Sequence, residues 1–122
     1  MQKKFALTNE TRVFNNQTLY RIKALRDFAD VKAGDLGGFI ESENNLSHDG
    51  NCWVYDKACV YNNAHVSDNA KVLNEAYVFD NAKITGYTYI CDKVSVFGNS
   101  YIDTKKLNGH INICDQTIKD AA

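Results

Sequence analysis

The sequence lacks the features of a membrane or nucleic-acid-binding protein. No apolar run approaches the roughly 18 residues that a membrane-spanning helix needs. The first four residues, MQKK, lead into no apolar signal segment, and we therefore predict a cytoplasmic protein without a membrane partner. The formal net charge is only −1, whereas a groove that follows phosphates needs a basic face. Nucleic acid is therefore not expected as a partner.

Metal-ligand spacing is also missing. The chain has four cysteines, but they form no C-x-x-C pair, and no histidine lies near them at zinc-finger spacing. In a reducing cytoplasm such cysteines are expected to be free structural thiols. We predict no metal site and no bound cofactor.

The chain does contain a strict six-residue repeat. An aliphatic residue recurs nine times between residues 54 and 102, and a small or medium residue stands two positions before each one. Neither a helix with a period of 3.6 nor a simple alternating strand with a period of 2 would keep that register. The period predicts a β-solenoid with these aliphatic residues inside: Val54, Val60, Val66, Val72, Val78, Ile84, Ile90, Val96 and Ile102.

The repeat unit resembles that of the hexapeptide-repeat family. It reads A-x-V-x-x-N, as in residues 64–69, and Asp-Asn or Gly-Asn pairs supply a corner every six residues. The resemblance implies an all-β, left-handed parallel β-helix, a triangular solenoid in which 18 residues form one coil. Asn63, Asn81 and Asn99 would then stack, and we predict that their side chains form a ladder along one edge.

We predict a single domain over residues 1–122. Residues 1–38 have a different texture, with two strands flanking Asn15-Asn16, and are predicted to form a β-hairpin cap. Residues 39–104 would form the coils. The six-residue register is lost after Ile102, so residues 105–122 are predicted to form a closing strand and a tail.

A second resemblance concerns the origin of the chain. Segments 18–25 (TLYRIKAL), 34–41 (GDLGGFIE) and 53–56 (WVYD) before such repeats look like those of small phage and prophage proteins. That resemblance implies a role in the conflict between phage and bacterial host, in the host cytoplasm. It carries no assigned activity.

The outward positions predict contact surfaces. One side of the prism carries Tyr61, Tyr77, Phe79 and Phe97, and a second side carries Trp53, Tyr55, Leu73 and Tyr89. Monomers rarely expose several adjacent aromatic residues. We predict that these eight residues lie in interfaces, with a two-fold homodimer favoured and a host protein as the other possible partner. The cap could instead fold back over the tryptophan side.

Enzymatic activity is the alternative that the family resemblance offers. Many hexapeptide-repeat proteins are acyltransferases that bind acyl-coenzyme A between subunits and use a histidine as general base. His65 lies outward in the repeats, His48 stands beside Asp49 in a corner, and His110 lies near the end of the coils. The repeats leave no long loop to shape an acceptor pocket. The sequence therefore favours a non-enzymatic binding module, an anti-CRISPR-type inhibitor that covers a host immune complex; a structural or assembly role is a further alternative.

Overall fold

The repeats form a three-sided parallel β-helix in the computed structural model, which describes residues 3–119. Each side is one sheet, and each sheet gains one strand per coil. The first side, called the aromatic side, contains β3 (Leu36–Ile40), β5 (Cys59–Val60), β8 (Tyr77–Val78), β11 (Ser95–Phe97) and β14 (Asn112–Cys114). The tryptophan side contains β4 (Trp53–Val54), β7 (Lys71–Val72), β10 (Tyr89–Ile90) and β13 (Lys106–Leu107). The polar side contains β6 (His65–Val66), β9 (Lys83–Ile84), β12 (Tyr101–Asp103) and β15 (Thr117–Lys119).

The strand register confirms the predicted fold. Val54 pairs with Val72, and Val72 pairs with Ile90, so residues 18 apart stack in parallel. The inward aliphatic residues from 54 to 102 are fully buried and form one continuous core. Within residues 3–119 the only helix is a short 3-10 helix at Glu43–Asn45. No helix in that range is long and apolar enough to cross a membrane.

The corners are stabilised by side chains that reach the next coil. Asp56, Asn74 and Asp92 have φ values of 57°, 59° and 56°, a left-handed conformation that Asp and Asn tolerate better than other residues with a Cβ. The N–H of Asn74 donates to Asp56 Oδ2 (3.1 Å), and the N–H of Asp92 donates to Asn74 Oδ1 (3.0 Å). The far edge of the aromatic side follows the same rule, because the N–H of Asp80 donates to Asn62 Oδ1 (3.3 Å) and the N–H of Gly98 donates to Asp80 Oδ2 (3.0 Å). In the predicted asparagine column, Asn63 Nδ2 donates to Asn81 Oδ1 (3.3 Å).

The N-terminal hairpin extends the aromatic side and then bends over it. Strands β1 (Phe5–Phe14) and β2 (Gln17–Ala24) are antiparallel, and β2 pairs with β3. Asn15 and Asn16 both have positive φ (51° and 64°), as the predicted two-residue turn requires. The base of the hairpin contributes Phe5 and Ile22 to the main core. Because the register of β1 on β2 shifts after Leu7, the tip can fold over the outer face of the sheet.

The coils continue beyond residue 104. Leu107 pairs with Ile90, Ile113 with Val96, and Ile118 with Ile102, so the pairing offsets are 17, 17 and 16 residues instead of 18. Strands β13, β14 and β15 therefore add a shortened fourth coil where the sequence had indicated a closing strand and a tail. The shortened repeats break the six-residue register, and this is why the period is lost although the fold persists.

The four cysteines are free thiols, three of them buried and Cys114 exposed. Burial raises the pKa of the Cys59 thiol to about 11 and also raises the pKa of Cys52. Buried thiols that hold their proton are poor nucleophiles. They act here as small packing groups.

Candidate active site

Trp53 was predicted to lie in an interface, but it is buried inside the protein. Its ring is 1% exposed, because the N-terminal segment covers the first coil of the tryptophan side. Phe28 packs edge-on against the indole at 5.2 Å between ring centroids, and Phe5 packs at 6.4 Å. Trp53 is therefore a core residue of the folded chain and not part of an exposed surface.

The hairpin tip covers the start of the aromatic column in the same way. Tyr61 is 2% exposed, with Phe14 edge-on at 5.8 Å and an Asn15 Nδ2 that donates to the Tyr61 hydroxyl (3.3 Å). Burial is the main reason that the pKa of Tyr61 is raised to about 12. Phe14 also stacks on Tyr77 at 4.8 Å. Two of the four predicted residues on this side thus contact the chain's own cap.

The rest of the aromatic column remains half-buried. Phe79 stacks on Tyr61 at 5.1 Å and on Phe97 at 5.0 Å, with the rings nearly parallel. No cap residue contacts the ring of Phe97 among the aromatic pairs of the described chain. That Phe79 and Phe97 lie in an interface stays a prediction.

The three remaining predicted residues, Tyr55, Leu73 and Tyr89, line a pocket of about 180 Å³ on the tryptophan side. Asp30 comes from the 25–35 loop of the cap, and Lys71 pairs with Trp53 on one side and with Tyr89 on the other. We call this the tyrosine pocket. The sequence predicted its aromatic walls but not its charged groups.

Electrostatic contacts organise the tyrosine pocket. The Tyr55 hydroxyl donates to Asp30 Oδ1 (2.7 Å), and this bond is the main cause of the lowered pKa of Asp30. Burial, with Asp30 as a second cause, raises the pKa of Tyr55. Lys71 Nζ lies 3.5 Å from the same Asp30 oxygen and 5.6 and 5.8 Å from the ring centroids of Tyr55 and Tyr89. The pocket already surrounds one ammonium group with a carboxylate and two aromatic rings.

A longer groove adjoins the tyrosine pocket at Asp56. It encloses about 670 Å³ along the corner between the tryptophan and aromatic sides, and we call it the corner groove. Its wall is built from equivalent positions in successive coils: Asp56, Lys57, Asn74, Glu75, Asp92, Lys93, Gly109 and His110. Asp56 lines both cavities, so the groove and the pocket adjoin at this residue.

Two of the three histidines hold the first coil together. His48 Nδ1 accepts the N–H of Lys4 (3.1 Å), its Nε2 lies 3.0 Å from Glu43 Oε1, and its ring stacks on Phe5 at 4.2 Å. His65 Nδ1 lies 2.6 Å from the carbonyl oxygen of Asn44, so this nitrogen carries the proton and donates. Both rings are tied to the segment around the 3-10 helix.

His110 differs from the other two because it lines a cavity. It occupies the same corner position as Lys57, Glu75 and Lys93 in the coils above. Among the described residues no hydrogen-bond partner restrains its ring. In the sequence, residues 57, 75 and 93 are spaced 18 apart, and His110 follows 17 residues after Lys93. A column that allows for one missing residue would therefore have included His110.

Comparison with known proteins gives one informative similarity. The chain is 39% identical over 66 residues to the uncharacterized acetyltransferase YdcK of Escherichia coli (strain K12). The similarity covers 48% of this chain and 20% of the relative, so the chain spans about a fifth of that protein's length. No protein-family model matches the chain.

This similarity overturns the predicted function. The chain was predicted to be a non-enzymatic, anti-CRISPR-type inhibitor, whereas its relative is named as an acetyltransferase. The reason for the error is that the repeats alone show no loop that could shape a pocket, while the folded chain obtains one from its cap. An acetyltransferase relative and a β-helix agree with the hexapeptide-repeat resemblance; phage origin stays a prediction.

Proposed function

We propose that this chain is an acyltransferase of the hexapeptide-repeat type that transfers an acetyl group from acetyl-coenzyme A. The observation that carries the proposal is the similarity to the acetyltransferase YdcK over 66 residues. The chain spans only about a fifth of that relative, so transfer by this chain alone is part of the proposal. The corner groove is the cavity in which we place donor and acceptor, with the acceptor at the end that His110 lines.

The corner groove fits the donor as one wall of a binding site. Its length follows the coils, as an extended pantetheine arm requires, and Lys57 and Lys93 could meet phosphate groups. They lie two coils apart, a distance of roughly 10 Å at the spacing of neighbouring strands. The carboxylates of Asp56 and Asp92 accept backbone N–H groups of the next coil. The donor supplies the activated acetyl group, and the protein positions it.

We assign His110 the role of general base. A base must lie within hydrogen-bond reach of the acceptor, and His110 is the histidine that lines the groove. One of its ring nitrogens would take the proton from the acceptor nucleophile as that atom attacks the acetyl carbonyl carbon. The new bond forms as the carbon–sulfur bond breaks, and the proton passes to the leaving sulfur. His48 and His65 are engaged in contacts that hold the fold.

The cap supplies what the repeats lack. A pocket on the flat side of the prism needs a wall that projects from it, and the 25–35 loop provides one through Asp30. Phe28 packs on Trp53 at 5.2 Å, which anchors the loop, and Asp30 bonds to Tyr55. The tyrosine pocket therefore lies between the cap and the coils.

We also propose that copies of the chain associate. Phe79 and Phe97 continue an aromatic stack that the cap covers only at its start, and pairing of identical patches is the commonest way to bury such a surface. A second copy could also supply the missing wall of the corner groove. A two-fold dimer is the assembly that we expect.

Turnover tests the proposed function. The chain is incubated with acetyl-coenzyme A and a set of primary amines and alcohols, and the released thiol is measured with a disulfide reagent. We expect transfer by the wild type and a loss of about a hundredfold or more in His110→Gln, as for removal of a general base. His65→Gln is the matched control and should keep its rate if its melting temperature is unchanged. No turnover by the wild type, or equal rates in wild type and His110→Gln, would contradict the proposal.

A further inference from the structure

We propose that the tyrosine pocket binds a small primary amine in its ammonium form, with an aromatic or other flat ring attached. The proposal goes beyond the proposed function, because it does not make this amine the acetyl acceptor. The binding itself is a separate property of the described residues and can be measured without the donor. The argument uses the charge, the aromatic walls and the size of the pocket.

The charge of the pocket favours a cation. The pocket is lined by two carboxylates, those of Asp30 and Asp56, and by one ammonium group, that of Lys71. Lys71 and the Tyr55 hydroxyl both use Asp30 Oδ1, and Asn74 uses Asp56 Oδ2. In residues 3–119 no further side chain donates to either carboxylate, so both keep acceptor capacity for the N–H groups of a ligand.

The aromatic walls favour the same ligand. Lys71 Nζ lies within 6 Å of two tyrosine ring centroids, the distance at which an aromatic face attracts a cation. The pocket thus already stabilises one ammonium group by the contacts that a ligand would use. Tyr89 is 41% exposed, so part of its ring is open to a flat apolar group. Leu73 completes the apolar wall.

The size of the pocket limits the ligand to a small molecule. A volume of about 180 Å³ corresponds to roughly six water molecules at their share of liquid volume. One ring with a short aminoalkyl chain fits this space, whereas a folded protein partner does not. The ammonium nitrogen would lie between Asp30 and Asp56, at the end of the corner groove that is three coils away from His110.

Binding to the donor-free protein tests this inference. We would titrate phenethylamine into the full chain at neutral pH and follow backbone amide shifts by NMR, with 2-phenylethanol as the neutral probe of matching shape. We expect shifts at residues 30, 71 and 89 and at least tenfold weaker binding of the alcohol. Asp30→Asn should weaken amine binding by about threefold, within the range of exposed ion pairs. Its Tyr55 hydrogen bond can persist, because an amide oxygen also accepts.

Matched variants separate the pocket from general surface effects. Asp103→Asn on the polar side and Tyr87→Ala at a different corner should leave amine affinity unchanged, whereas Tyr89→Ala should weaken it by about threefold. Equal affinity for amine and alcohol, shifts confined to another side, or equal loss in the control variants would overturn the inference. Amine binding without turnover would contradict only the proposed function; turnover with no amine binding in the pocket would contradict only this inference.

Discussion

Asp56 Oδ2 accepts the backbone N–H of Asn74 (3.1 Å), the residue that occupies the same corner one coil later. Asn74 Oδ1 accepts the N–H of Asp92 (3.0 Å), and Asp92 Oδ2 accepts that of Gly109 (2.9 Å). Each side chain thus satisfies the corner of the following coil. The same column lines the corner groove, so the contacts that stack the coils also shape the candidate active site.

Substitution of Asn74 should separate two properties of this corner residue: its side-chain bond to the N–H of Asp92 and its tolerance of a positive φ. Asn74→Gly removes the bond to Asp92 but tolerates the positive φ, and we expect a loss of about 1 kcal/mol of stability. Asn74→Ala removes the same bond but, unlike glycine, keeps a Cβ in the left-handed region without the polar group that makes this conformation tolerable, which costs about a further 1 kcal/mol. Asn74→Asp keeps an oxygen that can accept the N–H of residue 92 and tolerates the positive φ, so it should leave the stability nearly unchanged. Urea unfolding of the three variants measures this order; equal stability of Gly and Ala variants would argue against the corner account.

Burial of Trp53 under the cap makes a second prediction. Trp53→Ala should lower the free energy of unfolding by about 3–5 kcal/mol, as for other large core truncations. Tyr89→Ala, two coils along the same outward column, removes an exposed ring and should change stability by less than about 0.5 kcal/mol. Thermal or urea unfolding compares the two variants. If Trp53→Ala is as stable as Tyr89→Ala, the cap does not cover the tryptophan side.

Lys4 makes stability depend on pH. Its side chain is fully buried, and Nζ donates to the carbonyl oxygens of Cys52 (2.6 Å) and Gly50 (3.3 Å). Burial lowers the pKa of Lys4 below the 10.5 of an ordinary lysine. Between the lowered value and 10.5 the unfolded chain binds the proton and the folded chain does not. The free energy of unfolding contributed by this group therefore rises with pH in that window.

The variant Lys4→Met isolates this contribution. The variant should lack this pH-dependent increase in the free energy of unfolding. The stability of the wild type relative to the variant should therefore increase as the pH rises toward 10.5. Urea unfolding of both proteins over this range gives the difference directly, and the titration of other groups cancels. Parallel stability curves would show that Lys4 is not buried in the folded protein.

Truncation of Phe79 tests the proposed self-association. Phe79→Ala removes the ring between Tyr61 and Phe97, and we expect dissociation with a cost of about 2 kcal/mol in binding energy. Some stability should be lost as well, roughly 1 kcal/mol for the stacked pairs. Light scattering reports the mass, and Tyr87→Ala serves as the control. If the wild type is an oligomer and Phe79→Ala has the same mass, the interface does not include the ring of Phe79.

The sequence predicted the inside of this protein better than its outside. Val54, Val72 and Ile90 stack as the six-residue period requires, because only one register buries them all. Outward residues such as Trp53 and Tyr89 give the same pattern in sequence, although the cap buries one and leaves the other exposed. Which residues the cap covers depends on how the hairpin bends, and no local pattern specifies that.

The candidate site was missed for the same reason. Asp30 lies in an irregular loop of the cap, and nothing in its neighbours indicates that it reaches Tyr55. His110 lies beyond the point where shortened repeats hide the period, so its place in the Lys57, Glu75 and Lys93 column could not be read from a strict spacing. Tyr55, Leu73 and Tyr89 were predicted as a contact surface, and the pocket that they line became visible only with the cap in place.

Binding of acetyl-coenzyme A tests the central claim most directly. Isothermal titration calorimetry of the wild-type chain should give a dissociation constant of about 1 mM or tighter, which corresponds to at least about 4 kcal/mol of binding free energy. The double variant Lys57→Glu, Lys93→Glu should abolish the heat if the corner groove holds the donor. Absence of binding by the wild type at millimolar concentrations, or unchanged binding by the double variant, would contradict the account.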